Sequence, residues 1–171
     1  MLGTYKQLVT NQFEAVFCTM AALVEKCPDA NWRAPVASLT FNQAVFHALF
    51  YTDVYLGPDL KSLKEQSFHQ EHAKVFADYE ELEDRVQQAV YEKAFIKDYI
   101  AHCREKVGRV IAAETEESLE KRPGFDWQSF SRAELHVYNI RHLHHHAAQL
   151  SLRLRIDAGV EIPWVRSGWK D

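Results

Sequence analysis

The sequence predicts an all-α fold, a bundle of four long helices, on three observations. Pro28, Pro35, Pro58, Pro123 and Pro163 cannot sit in helix interiors without losing a hydrogen bond and clashing with the previous turn, and they leave four long proline-free segments. Each segment repeats apolar residues at three- and four-residue steps, the period of an α-helix. No alternating run is long enough to be a strand.

The first segment covers about residues 4–26. Tyr5, Leu8, Val9, Phe13, Val16, Phe17, Met20, Leu23 and Val24 form one stripe, with Lys6, Gln7, Asn11, Glu14 and Lys26 between them. The second opens on Thr40-Phe41-Asn42-Gln43, which reads as a capping box, and runs to Leu56 before Gly57-Pro58 stops it. Phe41, Ala44, Val45, Phe46, Ala48, Leu49, Phe50, Val54 and Tyr55 surround it almost completely, so this is the helix expected to be most buried. A polar residue at its centre needs a reason, and that residue is His47. The third segment, about 90–113, keeps its cadence through Tyr91, Phe95, Ile96, Tyr99, Ile100, Cys103, Val107, Val110 and Ile111, with only Gly108 weakening it. The fourth opens on Ser131-Arg132-Ala133-Glu134, a second capping-box pattern, and continues to Ile156 before Gly159 and Pro163 end it.

Connections constrain the topology. Residues 27–39 and 114–130 can join antiparallel neighbours. Residues 57–90 are too long for a bundle turn and predict a crossover that leaves helices two and three parallel. Val75, Phe76, Tyr79, Leu82 and Val86 predict one short helix within it. The 171 residues are read as a single domain over 1–171.

Composition excludes several classes of function. Hydrophobic residues at 47% and charged residues at 26% argue against disorder. A net charge of −4 gives no electrostatic reason to bind nucleic acid. No stretch approaches the roughly 20 apolar residues of a bilayer span, and Met1–Gln7 lacks the order of a signal peptide. Cys18, Cys27 and Cys103 form no CxxC and read as reduced thiols of a cytoplasmic protein, Cys18 and Cys103 lying on apolar stripes where inert thiols are usual.

The chain has nine histidines, and His142, His144, His145 and His146 cluster on the fourth helix. Positions four apart on a helix differ by only about 40°, so His142 and His146 share a face flanked by Leu135, Tyr138, Gln149 and Leu150. His144 points roughly opposite and His145 lies at the margin. Imidazoles at i and i+4 have the spacing of HxxxH metal sites, and His47 is the candidate third ligand. Three neutral nitrogens leave a coordination position open, as catalytic sites do. The alternative is a solvated polar face of His136, His142, His144 and His145, with His47 and His146 satisfied inside the core. His69 and His72, in a polar stretch with Gln70 and Glu71, read as surface, and His102 among Arg104, Glu105 and Lys106 reads as solvent-facing. No paired carboxylate is evident near the three histidines.

With Thr40–His47 in helix two and Leu135–Leu150 in helix four, the sequence resembles the DinB/YfiT-like superfamily of metal-dependent four-helix bundle proteins over essentially the whole chain, including Trp164-Val165. The resemblance places the family's first ligand at His47 and its HxxxH pair at His142 and His146. Many members follow the last histidine with Arg-Gly-Gln, where this chain has Ala147-Ala148-Gln149, so that arginine's role does not carry over. The resemblance implies an up-down-down-up bundle, a homodimer and a divalent metal ion (Zn, Ni or Fe). It further implies metal-assisted attack on a small molecule, by a thiol-dependent transferase or a hydrolase. Tyr51, Tyr138 and Gln149 are candidates to orient a ligand or an imidazole, against the commoner role of packing or hydrogen-bonding core residues. The competing expectation is a non-catalytic, stress-associated metal- or ligand-binding protein. The expected partners are a small-molecule substrate or a thiol, with no nucleic acid and no membrane.

Overall fold

The computed structural model describes residues 1–76, 79–84 and 86–168. The chain is all-α apart from one short β pair among these residues. In order come α1 (Leu2–Lys26), α2 (Asp29–Trp32), β1 (Pro35–Val36), β2 (Leu39–Thr40), α3 (Phe41–Leu56), α4 (Leu60–Lys64), α5 (Ser67–Glu71) and α6 (Ala73–Phe76). A 3₁₀ turn follows at Glu80–Leu82, then α7 (Lys93–Ala113), α8 (Glu116–Glu120) and α9 (Arg132–Ala158). The β pair is antiparallel and two residues long, too short to leave an alternating pattern in the sequence.

The long helices stand where their stripes require. α1 and α3 each pack against both α7 and α9. Arg104 reaches Glu14 and Lys97 reaches Glu25, so α1 and α7 run in opposite directions. Asn139 donates to the Thr52 carbonyl while His47 lies against His142 and His146, so α3 and α9 are also opposed. Phe46 packs on Tyr99 and Lys106 bonds Asp53, so α3 and α7 run the same way.

α3 is the core element. Gln43 Oε1 accepts from the Thr40 backbone N–H at 2.9 Å and closes the capping box. Every residue of α3 is buried except His47 and Tyr51, which lie side by side on the rim of a cleft. At α9 the Ser131 hydroxyl accepts from the Glu134 N–H at 3.3 Å, and Gly159 ends the helix in the left-handed conformation at φ 65°.

The crossover differs from its sequence reading. Instead of one helix over 75–86, the chain makes α4, α5, α6 and the 3₁₀ turn, and Val86 is 75% exposed. Ala77, Asp78 and Arg85 lie outside the described residues. The pieces are short because each is tied to the core by one or two side chains, Leu63, His69 and Phe76, rather than by a continuous stripe. In hydrogen exchange, amides of α3 are expected to exchange last and those of the described residues of 57–90 first. Equal protection of the two would contradict the placing of α3 at the core.

Candidate metal centre

α3 and α9 together assemble the site. Because the two helices are antiparallel, His47 on α3 meets two successive turns of α9, and ring centroids stand 5.5 Å from His47 to His142, 4.9 Å to His146, and 4.7 Å between the α9 pair. One nitrogen of each of the three imidazoles lies within 4.8 Å of the others. A tetrahedral ion with bonds of about 2.0–2.1 Å needs its donors roughly 3.4 Å apart, a distance that small side-chain rotations reach. All three side chains are half-buried.

The electrostatics suit metal ligation. Burial first, then the neighbouring imidazoles of His146, His47 and His145, push His142 down to about 3. Burial, with His47 and His145 beside it, pushes His146 down to about 4. Both rings are therefore neutral at physiological pH, with lone pairs available. His142 Nδ1 is buried and has no hydrogen-bond partner among the described residues.

Glu81 completes the surroundings. Its carboxylate, 7% exposed, accepts from His47 Nδ1–H at 2.6 Å. That bond fixes the tautomer and leaves Nε2 as the donor atom toward the other two histidines, the carboxylate–histidine arrangement found behind metal ligands. Glu81 Oε1 is buried without a partner among the described residues. The Tyr51 hydroxyl donates to the Glu81 backbone carbonyl at 2.8 Å and pins the turn that presents the carboxylate. Tyr79, which starts that turn, is held in the left-handed region at φ 44°. The sequence reading placed no carboxylate here, because Glu81 comes from the crossover, 34 residues from His47.

A cleft of about 560 Å³ opens over His47 and His142, walled by Tyr51, Tyr55, Glu81 and Trp127. Tyr138 packs its ring 6.5 Å from His142. Gln149 is exposed; its amide pairs with His145 Nε2 at 2.9 Å and also bears on the neighbouring His146. His144 and His145 are exposed, as their helical angles require.

Two other histidines, His69 and His102, contradict their sequence reading, and His136 contradicts the polar-face alternative. His69 is buried on Asp53, with Nε2–H donating to the carboxylate at 2.7 Å and Nδ1 accepting from the Tyr79 hydroxyl at 3.2 Å. His102 stacks on Phe68 at 4.4 Å and lies 3.6 Å from Asp53. His136 is fully buried, bonded to Glu114 at 3.0 Å. In each case a carboxylate from another element offsets the cost of burying the ring. None joins the metal cluster. His72 packs between Phe68 and Phe95.

The cysteines offer no nucleophile. Burial pushes Cys103 well above the usual thiol range, Cys27 up to about 11, and Cys18 upward as well.

The low values of His142 and His146 have a measurable consequence. An unfolded imidazole titrates near 6.5, above both folded values, so below about pH 6.5 the unfolded chain binds protons that the folded chain refuses. Metal-free protein is therefore expected to lose stability as pH falls from 6.5 toward 4, with the loss reduced in His142→Phe. Urea midpoints that are flat across that window, or equal in the two proteins, would contradict the neutral cluster.

A family model described as the DinB superfamily matches residues 12–150, a span that holds His47, Glu81, His142 and His146. No curated protein and no solved structure matches the chain.

Proposed function

The chain belongs to the DinB superfamily, and from that premise we propose that His47, His142 and His146 hold a divalent metal ion with one coordination position open to the cleft. The observation that carries this reading is the meeting of three imidazole nitrogens within 4.8 Å of one another. A divalent ion held by three neutral ligands keeps its charge and supplies Lewis acidity toward a water or a thiol at the open position. Three imidazoles suit Zn, Ni or Fe alike.

The protein's own groups then have definite tasks. Glu81 holds His47 by Nδ1–H and lines the cleft, where its carboxylate is the protein's candidate proton acceptor. Tyr55 and Trp127 give the cleft aromatic walls against which a small electrophile can pack. We read the protein accordingly as a metal-dependent transferase using a thiol, or a hydrolase, acting on a small molecule. The four long helices are taken as an up-down-down-up bundle, supported by the opposed α1–α7 and α3–α9 pairs and the like-directed α3 and α7. The 171 residues are taken as one domain that works as a homodimer in the cytoplasm without nucleic acid or membrane partners, a reading with which the net charge of −4 agrees. No helix among the described residues is long and apolar enough to cross a membrane.

The test is turnover of a chromogenic thiol acceptor and of an activated ester by metal-free and metal-loaded protein. Rates that appear only with metal and vanish in His47→Ala are expected. Equal rates with and without metal would leave the non-catalytic binding protein as the better account. Glu81→Ala is expected to weaken metal affinity by about 10–100-fold, the usual effect of losing a carboxylate behind a ligating histidine. Glu81→Gln, which keeps an acceptor oxygen for His47, should recover part of it. Competition with a chelator of known affinity measures both.

A further inference from the structure

Arginine pairing is uneven across the molecule. Arg33, Arg104, Arg109, Arg132, Arg153 and Arg155 each meet a carboxylate at 2.6–3.7 Å, and Arg122 donates to the Gln128 carbonyl. Arg141 and Arg166 are the two arginines among the described residues that make no hydrogen bond or ion pair. Both line the same groove, of about 920 Å³, bounded by α1, α9 and the returning tail at 162–166.

The groove has one sign of charge. His144 and His145 line it beside the two arginines, and among the described residues no aspartate or glutamate does, in a chain with 24 acidic residues and a net charge of −4. Ile162 and Trp164 supply apolar wall, and Trp164 is 76% exposed with its ring edge-on to His144 at 5.9 Å. The tail that roofs it is tied at both ends. Lys26 donates to the Glu161 carbonyl at 3.2 Å and Arg155 pairs with the Glu161 carboxylate at 2.8 Å, while the Gly168 N–H donates to the Asn11 carbonyl at 2.8 Å.

We propose that this groove binds a small organic anion, its carboxylate or phosphate oxygens gripped by Arg141 and Arg166 and its apolar body laid against Trp164. Guanidinium forks match such oxygens in pairs, and their positive charge is matched by no acidic group among the described residues of the groove. The volume lies in the range of about 300–1,000 Å³ typical of small-molecule sites, which favours a small anion over an acidic macromolecule. His142 lines both this groove and the metal-site cleft, so the two cavities share a wall. The inference goes beyond the metal reading and needs no bound ion.

The test uses the full metal-free chain, so a failure of metal uptake leaves its result untouched. Amide spectra are recorded while succinate, inorganic phosphate or neutral succinamide is added. Saturable shifts confined to residues 12–19, 138–151 and 162–168 are expected with succinate or phosphate and not with succinamide. The tighter of the two anions identifies a carboxylate or a phosphate ligand, and either supports the site. Arg141→Gln and Arg166→Gln should each weaken binding about tenfold, the loss of one charge-assisted contact, while Arg109→Gln leaves it unchanged. Absent or non-saturable shifts, shifts shared with succinamide, shifts indifferent to both groove arginines, or saturation only by a polyglutamate peptide would overturn the proposal.

Discussion

Alanine at His47, His142 or His146 is expected to abolish stoichiometric metal uptake, whereas His144→Ala keeps it. Each of the three supplies one nitrogen to a cluster spanning no more than 4.8 Å, so each deletion leaves two ligands facing an ion that needs three. The loss should exceed the about 10–100-fold that follows removal of an outer-shell partner. His144 sits on the same helix, two residues from both members of the pair, yet its ring turns outward against Trp164. His145, exposed and bonded to Gln149, should matter only modestly. Metal-to-protein ratios of the five variants, purified without a histidine tag, decide the matter. A polar histidine face with nonspecific uptake would give small, interchangeable losses. If His144→Ala lost as much metal as His146→Ala, the assignment of faces would fail.

Asp53→Ala is expected to be the most destabilising single substitution outside the apolar core. Asp53 is fully buried on α3 and receives Lys106 Nζ, His69 Nε2, the Tyr99 hydroxyl and Gln66 Nε2. Burial alone would raise its carboxyl, but the nearby His102 at 3.6 Å, the bond from His69 and the charge of Lys106 outweigh it and hold the group well below the usual carboxylate range. Removing the carboxylate strands a buried ammonium and costs about 3–5 kcal/mol, a large share of the roughly 5–15 kcal/mol that holds a domain folded. Pairing Asp53→Ala with Lys106→Met should restore part of the loss, because the unpaired charge is then gone. The network also reaches the metal site, since His69 accepts from Tyr79 and Tyr79 opens the turn that carries Glu81. Urea unfolding measures both proteins. A cost below about 1 kcal/mol for Asp53→Ala would contradict the account of this network.

The parts legible in the sequence are those set by local period. Apolar steps of three and four residues outlined α1, α3, α7 and α9, and the i, i+4 spacing put His142 and His146 on one face. His47 stood out because a polar residue at the centre of an apolar helix demands a partner, and the structure brings it beside that pair. The same reasoning applied to Asp53, in the same helix, would have pointed to His69 and Lys106. Glu81 left no such signal. It lies in a polar stretch of the crossover, and its burial depends on where Tyr51 and Tyr79 hold the chain rather than on any periodicity around it. His69 and His102 were misread, and the polar-face alternative fails at His136, for a related reason: their polar sequence neighbours face solvent while the rings find carboxylates on other elements.

X-ray absorption at the metal edge of tag-free, zinc-loaded protein tests the central claim most directly. The expected spectrum has three imidazole nitrogens at about 2.0–2.1 Å and one further light ligand that changes when a small thiol is added. His47→Ala should lower the imidazole count to two in whatever metal remains bound. A six-coordinate oxygen shell without imidazole scattering, or a fourth ligand that a thiol does not displace, would contradict an open site built by His47, His142 and His146.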